Sequence, residues 1–167
     1  ECENGKLLVN KPANVKIENL SSINSKYSDY APLITADEKL LIFTSRREGS
    51  TGGDIDPDEL EYYEDIYQTT KDASGWTSPV KINGNVNTSS HDASVGLSFD
   101  GKLLFIYRGL INGGDLYEYT YENDTWSQPK QLNKINTKFH ETSACISDDK
   151  KTLYIVSDRH DKTLGMR

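Results

Sequence analysis

Residues His91 to Tyr107 read HDASVGLSFDGKLLFIY, and the same stretch returns twice in recognisable form, as SDYAPLITADEKLLIFT from Ser28 to Thr44 and HETSACISDDKKTLYIV from His140 to Val156. In register, Asp29, Asp92 and Glu141 coincide, then Asp37, Asp100 and Asp149, then Leu41, Leu104 and Leu153. Working outward, an Asn precedes each copy (Asn24, Asn87, Asn136), and Asp65-Ile66-Tyr67 and Asp115-Leu116-Tyr117 follow two of them. Trp76 and Trp126 then stand 50 residues apart, as do Asp65 and Asp115, while Asp92 and Glu141 are 49 apart. A self-similar period of this length is the signature of a four-stranded propeller blade. The 63-residue step from Asp29 to Asp92 shows that the first copy carries extra residues between Arg46 and Asp65.

Each copy predicts four antiparallel strands. The first is short and lined with small residues (Ser94, Gly96, Ser98), which suits an innermost strand where sheets converge. Asp100-Gly101 predicts a tight hairpin. Asp37-Glu38 and Asp149-Lys150 at the same place require either another turn geometry or strain at a non-glycine residue. The second strand is apolar on both faces (Leu40 to Phe43, Leu103 to Tyr107, Leu153 to Val156), and continuous apolarity implies cover on both sides. The fourth holds Pro79 or Pro129, and proline lacks a ladder donor, so it belongs on an outer edge. The expected fold is therefore all-β, a β-propeller fragment of four-stranded antiparallel blades. Its organisation is the end of a preceding blade over 1–22, with Val15-Lys16-Ile17 as its last strand, a blade over 23–82 with an insertion at 47–64, a blade over 83–132 and an incomplete blade over 133–167. Little more than three blades falls short of the four to eight of a closed ring, so further blades are expected as partners.

Ten tyrosines, one methionine and few helical runs agree with short strands and polar turns. A net charge of −7 argues against a nucleic-acid surface, and no apolar run is long enough to span a membrane. Of two cysteines, Cys145 shares the register of Leu33 and Gly96, a small packed position, and is expected to be a buried thiol. A disulfide from Cys2 to Cys145 is neither required nor ruled out.

The polar turn, the Leu-Leu-Phe-Ile strand, the Arg that follows (Arg46, Arg108, Asp158-Arg159) and Gly-Asp-Leu-Tyr at 114–117 together resemble the TolB-like β-propeller repeat. Asn-Thr-Lys-Phe-His-Glu at 136–141 and Trp-Ser-Gln-Pro at 126–129 resemble the propellers inside OmpA-family envelope proteins of Bacteroidetes-type bacteria. That resemblance covers roughly residues 23 to 167 and implies a non-enzymatic scaffold or protein-binding module of a larger cell-envelope protein. It implies a place in the periplasm, associated with the outer membrane, with peptidoglycan-bound or secretion and gliding assemblies as the setting. The alternative from another class is a carbohydrate-binding or sialidase-like propeller. Sialidase-type blades carry Ser-x-Asp-x-Gly-x-Thr-Trp, of which only Ser98-Phe99-Asp100-Gly101 is present.

Candidate site residues fall in two groups. Asp29, His91, Asp92, His140 and Glu141 sit at the entrances of the inner strands, where they could ring the mouth of a channel as acids, bases or ligands. A residue repeated in every blade more often serves the blade itself, because catalytic sites break repeat symmetry. Trp76 and Trp126 could stack on sugars, but identical placement reads as blade packing. There is no Ser-His-Asp spacing, zinc-type cluster or phosphate loop, and no enzymatic activity is expected. The non-repeated feature is the acidic insertion, GGDIDPDELEYYED from Gly52 to Asp65, the best candidate for a specific contact. Asp54, Asp56 and Asp58 alternate, and Asp65 is twelfth from Asp54, as in a calcium loop. Glu59 at the sixth place and Pro57 at the fourth speak against calcium, so a metal-free acidic loop stays open as the other reading.

Overall fold

Twelve strands follow a short helix in the computed structural model, which describes residues 2–11, 13–109 and 114–160. The helix α1 spans Cys2–Val9. The strands are β1 (Asp29–Ile34), β2 (Leu40–Ser45), β3 (Asp65–Asp72), β4 (Gly75–Trp76), β5 (Val80–Lys81), β6 (Asp92–Leu97), β7 (Leu103–Arg108), β8 (Asp115–Glu122), β9 (Thr125–Trp126), β10 (Lys130–Gln131), β11 (Glu141–Ile146) and β12 (Leu153–Ser157). All pairings are antiparallel and form three sheets in chain order, β1-β2-β3 with β4 and β5 on its outer edge, β6-β7-β8 with β9 and β10, and the pair β11-β12. The fourth strand of each full unit is thus in two pieces, broken at Thr77-Ser78-Pro79 and Ser127-Gln128-Pro129. Proline has no N–H to give to β3 or β8, and the ladder lapses where it sits.

The three sheets stack face to face. Leu40 and Ile42 of β2 point to the second sheet, where they meet Leu104, Ile106, Tyr119 and Trp126, while Leu41 and Phe43 point the other way, to Ile23 and Tyr67. Strand β7 repeats the pattern, with Leu104 and Ile106 facing back and Leu103 and Phe105 facing forward to Ala144, Leu153 and Ile155. Full burial of one such side chain is worth about 1.5–3 kcal/mol, so this two-sided packing explains why the second strands are apolar throughout. The inner strands approach closely enough that a Cβ on Gly96 would meet the Ala144 carbonyl oxygen at 2.3 Å, which excludes any larger residue there. The equivalent contact between the first two sheets is polar: Ser94 donates to the Ala31 carbonyl at 3.0 Å and lies 3.0 Å from the Thr44 hydroxyl.

All three hairpin turns share one geometry. Thr35, Ser98 and Ser147 hydroxyls bond Asp37, Asp100 and Asp149 at 2.7 Å, and each aspartate accepts the backbone N–H two residues on. The left-handed position is Gly101 in one copy (φ 69°) and Glu38 (φ 55°) and Lys150 (φ 57°) in the others, so strain at a non-glycine residue is accepted rather than a new turn.

Four expectations are corrected. Residues 13–20 contain no strand, and Val15 and Ile17 are exposed, since no strand among the described residues lies beside them to pair with. The helix α1 was not anticipated. Cys145 is an exposed free thiol, since no described residue covers the forward face of the third sheet; the Cys2 side chain lies outside the described part, so the pairing of the two falls there too. The same bare face shows in burial: Ile42 and Phe105, at one repeat position, are 0% exposed, whereas Tyr154 at that position is 64% exposed.

Candidate functional site

The recurring carboxylates occupy one end of the stack, where β1, β6 and β11 begin. Each closes the loop before its strand and takes an arginine from the end of the second strand. Asp29 accepts from the Ser25 N–H (2.6 Å) and hydroxyl (2.8 Å) and from Arg47 (2.7 Å). Asp92 does the same with the Thr88 N–H (2.6 Å) and hydroxyl (2.8 Å) and with Arg108 (2.5 Å). Glu141 takes the Thr137 N–H (2.8 Å) and hydroxyl (2.9 Å), Ser157 (2.6 Å) and Arg159 (3.0 Å). Each guanidinium also donates to the carbonyl of Ile23, Val86 or Ile135. The repeat partner in the first unit is therefore Arg47, not Arg46 as the sequence reading had it. The lone pairs that a channel-mouth site would offer are taken by the fold.

The asparagines before these loops tie neighbouring units. The Asn87 amide exchanges two bonds with the backbone of Ile66 (2.7 and 3.0 Å), and Asn136 does so with Leu116 (3.0 and 2.9 Å). Asn24, their equivalent, instead donates to Asn19 at 2.6 Å on the surface.

Environment splits the three acids. Burial pushes the Asp92 carboxyl above its ordinary range despite Arg108. Burial works in the same direction on Asp29 and Glu141, but hydrogen bonds from Ser45, Arg47 and Ser25 on the first, and from Ser157, Thr137 and Arg159 on the second, outweigh it and lower both.

His91 and His140 do not form a pair. His140 is exposed, and its backbone N–H donates to Asp158 at 2.8 Å. His91 is buried and reaches into the insertion: Nε2 lies 2.9 Å from Asp56 Oδ2, and Nδ1 lies 3.2 Å from Glu64 Oε2. The hydrogen bond from His91 holds the Asp56 carboxyl below its ordinary range, helped by the N–H of Asp58. Burial pushes Glu64 up, against the pull of His91. Tyr63 packs on the imidazole with ring centroids 4.9 Å apart. Arg46, whose side chain is 13% exposed, pairs with Glu59 (2.5 Å), Glu61 (3.4 Å) and Glu64 (3.2 Å), and Tyr30 bonds Glu64 as well. The insertion is thus pinned to the second sheet by His91 and to the first by Arg46.

The four acids of the expected calcium loop are not brought together. Asp56 is turned to His91, and Asp65, fully buried, takes the Thr51 N–H and hydroxyl (2.8 Å each) and Lys81 (2.9 Å). Asp54 and Asp58 are exposed. No group of three or more His, Cys, Asp or Glu that could hold a metal exists among the described residues. Closure of the loop by Asp56-to-Glu61 (2.7 Å) and Leu60-to-Asp56 (2.8 Å) backbone bonds draws the first acids away from Asp65, so the donor set does not fit calcium. What the loop presents instead is an exposed surface of Asp54, Ile55, Asp58 and Leu60, beside a cleft of about 430 Å3 that Tyr27, Tyr62 and Lys26 help to line.

No family model matches the chain, and no curated protein does. Among solved structures, TolB from Acinetobacter baumannii, a β-propeller, is similar in fold, with a TM-score of 0.51 and 18% identity over 80% of this chain. The match spans 27% of the TolB chain, so this chain corresponds to about a quarter of that structure's length. Among the described residues no helix is long and apolar enough to cross a membrane.

Proposed function

We propose that the chain is a non-enzymatic, protein-binding part of a β-propeller within a larger bacterial cell-envelope protein, and that the insertion is its contact surface. The observation that carries this reading is the pinned insertion: His91 and Arg46 fix its base, leaving Asp54, Ile55, Asp58 and Leu60 facing solvent. A preorganised loop loses little entropy on binding, and an apolar pair flanked by free carboxylates fits a cationic protein segment with an apolar anchor. The TolB likeness supports a propeller module, and the repeat resemblance supports a periplasmic, outer-membrane-associated setting beside peptidoglycan-bound or secretion and gliding assemblies. In this reading the repeat acids serve loop closure, and His91, Asp56 and Glu64 serve to pin the insertion, so none of them is assigned to hydrolysis.

Further blades of the same polypeptide are proposed to cover the bare forward face of Cys145, Tyr154 and Val156, where Ile42 and Phe105 find cover inside the stack. The surface-lying Asn24 amide would then take the backbone of a preceding third strand, as Asn87 and Asn136 do.

A photo-crosslinking residue placed at Leu60 of the full-length protein, in the cells that make it, tests the contact against the same probe at Ser78 on the outer edge. One discrete partner from Leu60, lost in the Asp54→Lys, Asp58→Lys variant and absent from Ser78, supports the reading. Equal crosslinking from both sites overturns it.

A further inference from the structure

The buried His91 ring stands between two carboxylates, with Nε2 2.9 Å from Asp56 Oδ2 and Nδ1 3.2 Å from Glu64 Oε2. A neutral imidazole has one N–H, so it can serve only one of these oxygens, and the other then meets a lone pair. The shorter contact, to Asp56, takes the N–H of the neutral ring, because Nδ1 can then accept the Glu64 backbone N–H 3.4 Å away. The contact between Nδ1 and the Glu64 carboxyl therefore needs a second proton, carried by the ring or by the acid.

The groups around this contact decide how readily that proton is held. Arg46 and the Tyr30 hydroxyl meet Oε1 of Glu64, which leaves Oε2 to the ring. Arg46 opposes the proton, but its charge is divided among Glu59, Glu61 and Glu64. Asp92, with Arg108 as its own counter-ion, adds negative charge beside Glu64 and favours the proton. Tyr63 over the ring and Tyr107 near Glu64 are phenols and bring no charge below about pH 10. Burial pushes the Glu64 carboxyl above its ordinary 4.5. Stability from a group raised in this way is complete below the ordinary value and is lost as pH rises through the raised one.

We propose that His91, Asp56 and Glu64 form a proton-operated latch, which holds the insertion rigid while the second proton is present and loosens it when that proton leaves. Glu64 ends the insertion and Asp56 organises its tip, accepting the Asp58 N–H at 2.7 Å and the Leu60 N–H, on its carbonyl, at 2.8 Å. Leu60 is kept there at φ 59°, a conformation that a leucine disfavours and that persists only while the surrounding turn is held. The device therefore has two states, a closed tip with a strained Leu60 and a relaxed one. That pH in this way regulates partner contact rests on the reading of the insertion as the contact surface; the latch itself does not.

The test uses the full chain alone, in chelator-containing buffer, with amide hydrogen exchange followed at about pH 5 and about pH 8.5 and corrected for the intrinsic rate at each. Residues 54–64 are expected to lose protection by at least about tenfold at the higher pH, while β2 and β7 keep theirs. Glu64→Gln gives the neutral ring an amide N–H in place of the missing proton, so its insertion should be equally protected at both values. Asp54→Asn, an exposed acid outside the latch, should keep the wild-type response. Equal protection of the wild-type insertion at both values overturns the proposal, as does a full response in Glu64→Gln or a loss of protection shared by β2 and β7. A latch that responds as expected in a protein whose Leu60 captures no partner would refute the contact reading alone.

Discussion

The stack ends in two sets of repeated acids, and they differ in what surrounds them. Asp29, Asp92 and Glu141 at one end are buried or nearly so and each meets an arginine. Asp37, Asp100 and Asp149 at the other cap hairpin turns in contact with water. Spacing and residue type are alike, yet burial raises Asp92, whereas a hydrogen bond from Lys150 and another from Ser98 hold Asp100 at about 2. Repetition alone therefore does not say what an acid does; the worth of each is set by how much water its end admits.

The sharpest break of this comparison is Arg108→Ala, which leaves the Asp92 carboxyl buried without its cation. Removing one partner of such a pair costs about 3–5 kcal/mol, and chemical denaturation should show a loss of that order. Adding Asp92→Asn to that variant should restore part of it, because no charge then remains buried and unpaired. Arg159→Ala is expected to cost less, since its side chain is 25% exposed beside the uncovered third sheet. Equal losses at Arg108 and Arg159 would show that the uncovered flank does not matter.

His91→Ala is next in size and tests the insertion rather than the blades. Asp56 and Glu64 would lose the imidazole between them, so residues 54–64 should exchange their amide protons at least about tenfold faster while β2 and β7 keep their protection. Unchanged exchange in the loop would mean that Arg46 alone holds it.

These two ends also mark how far the sequence could be read. The period, the turn aspartates and the two-faced second strands state the sheet stacking openly, because each is a local pattern repeated in register. The latch of Asp56 on His91 does not, since it joins positions 35 apart, one of them in a loop with no repeat to align. Arg47 hid behind its neighbour Arg46 for a related reason: adjacent arginines are interchangeable in a pattern, and only the insertion's acids decide which one faces them. Exposure of Cys145 depends on what covers the next face, and no residue in the strand records that.

At the turn end effects should be small. Glu38→Gly replaces a residue held at φ 55°. It removes a left-handed penalty of about 1–2 kcal/mol and adds backbone entropy to the unfolded chain, so a net gain of about 0.5 kcal/mol is expected in thermal unfolding. A loss instead would show that the turn is not strained there.

The smallest effect is the pH response of Asp100. Its ordinary value is 3.8 and its folded value about 2, with Lys150 of the third sheet's turn supplying the largest share through a 2.6 Å hydrogen bond. A carboxyl whose pKa is depressed by folding adds stability that is complete above the unfolded value and disappears as pH falls through the folded one. The contact between the second and third turns should therefore hold at neutral pH, weaken from about pH 4 and be gone near pH 2. Both side chains are more than a third exposed, so water and salt screen the pair and its share of global stability should lie near the low end for surface bridges. The measurable quantity is local: the Asp100 carboxyl carbon should titrate near 2 by NMR in the wild type and move back toward 3.8 in Lys150→Ala, with added salt narrowing the gap. If Asp100 titrated at the same pH in both proteins, the Ser98 and backbone bonds alone would account for the shift, and the link between the two turns would carry no weight.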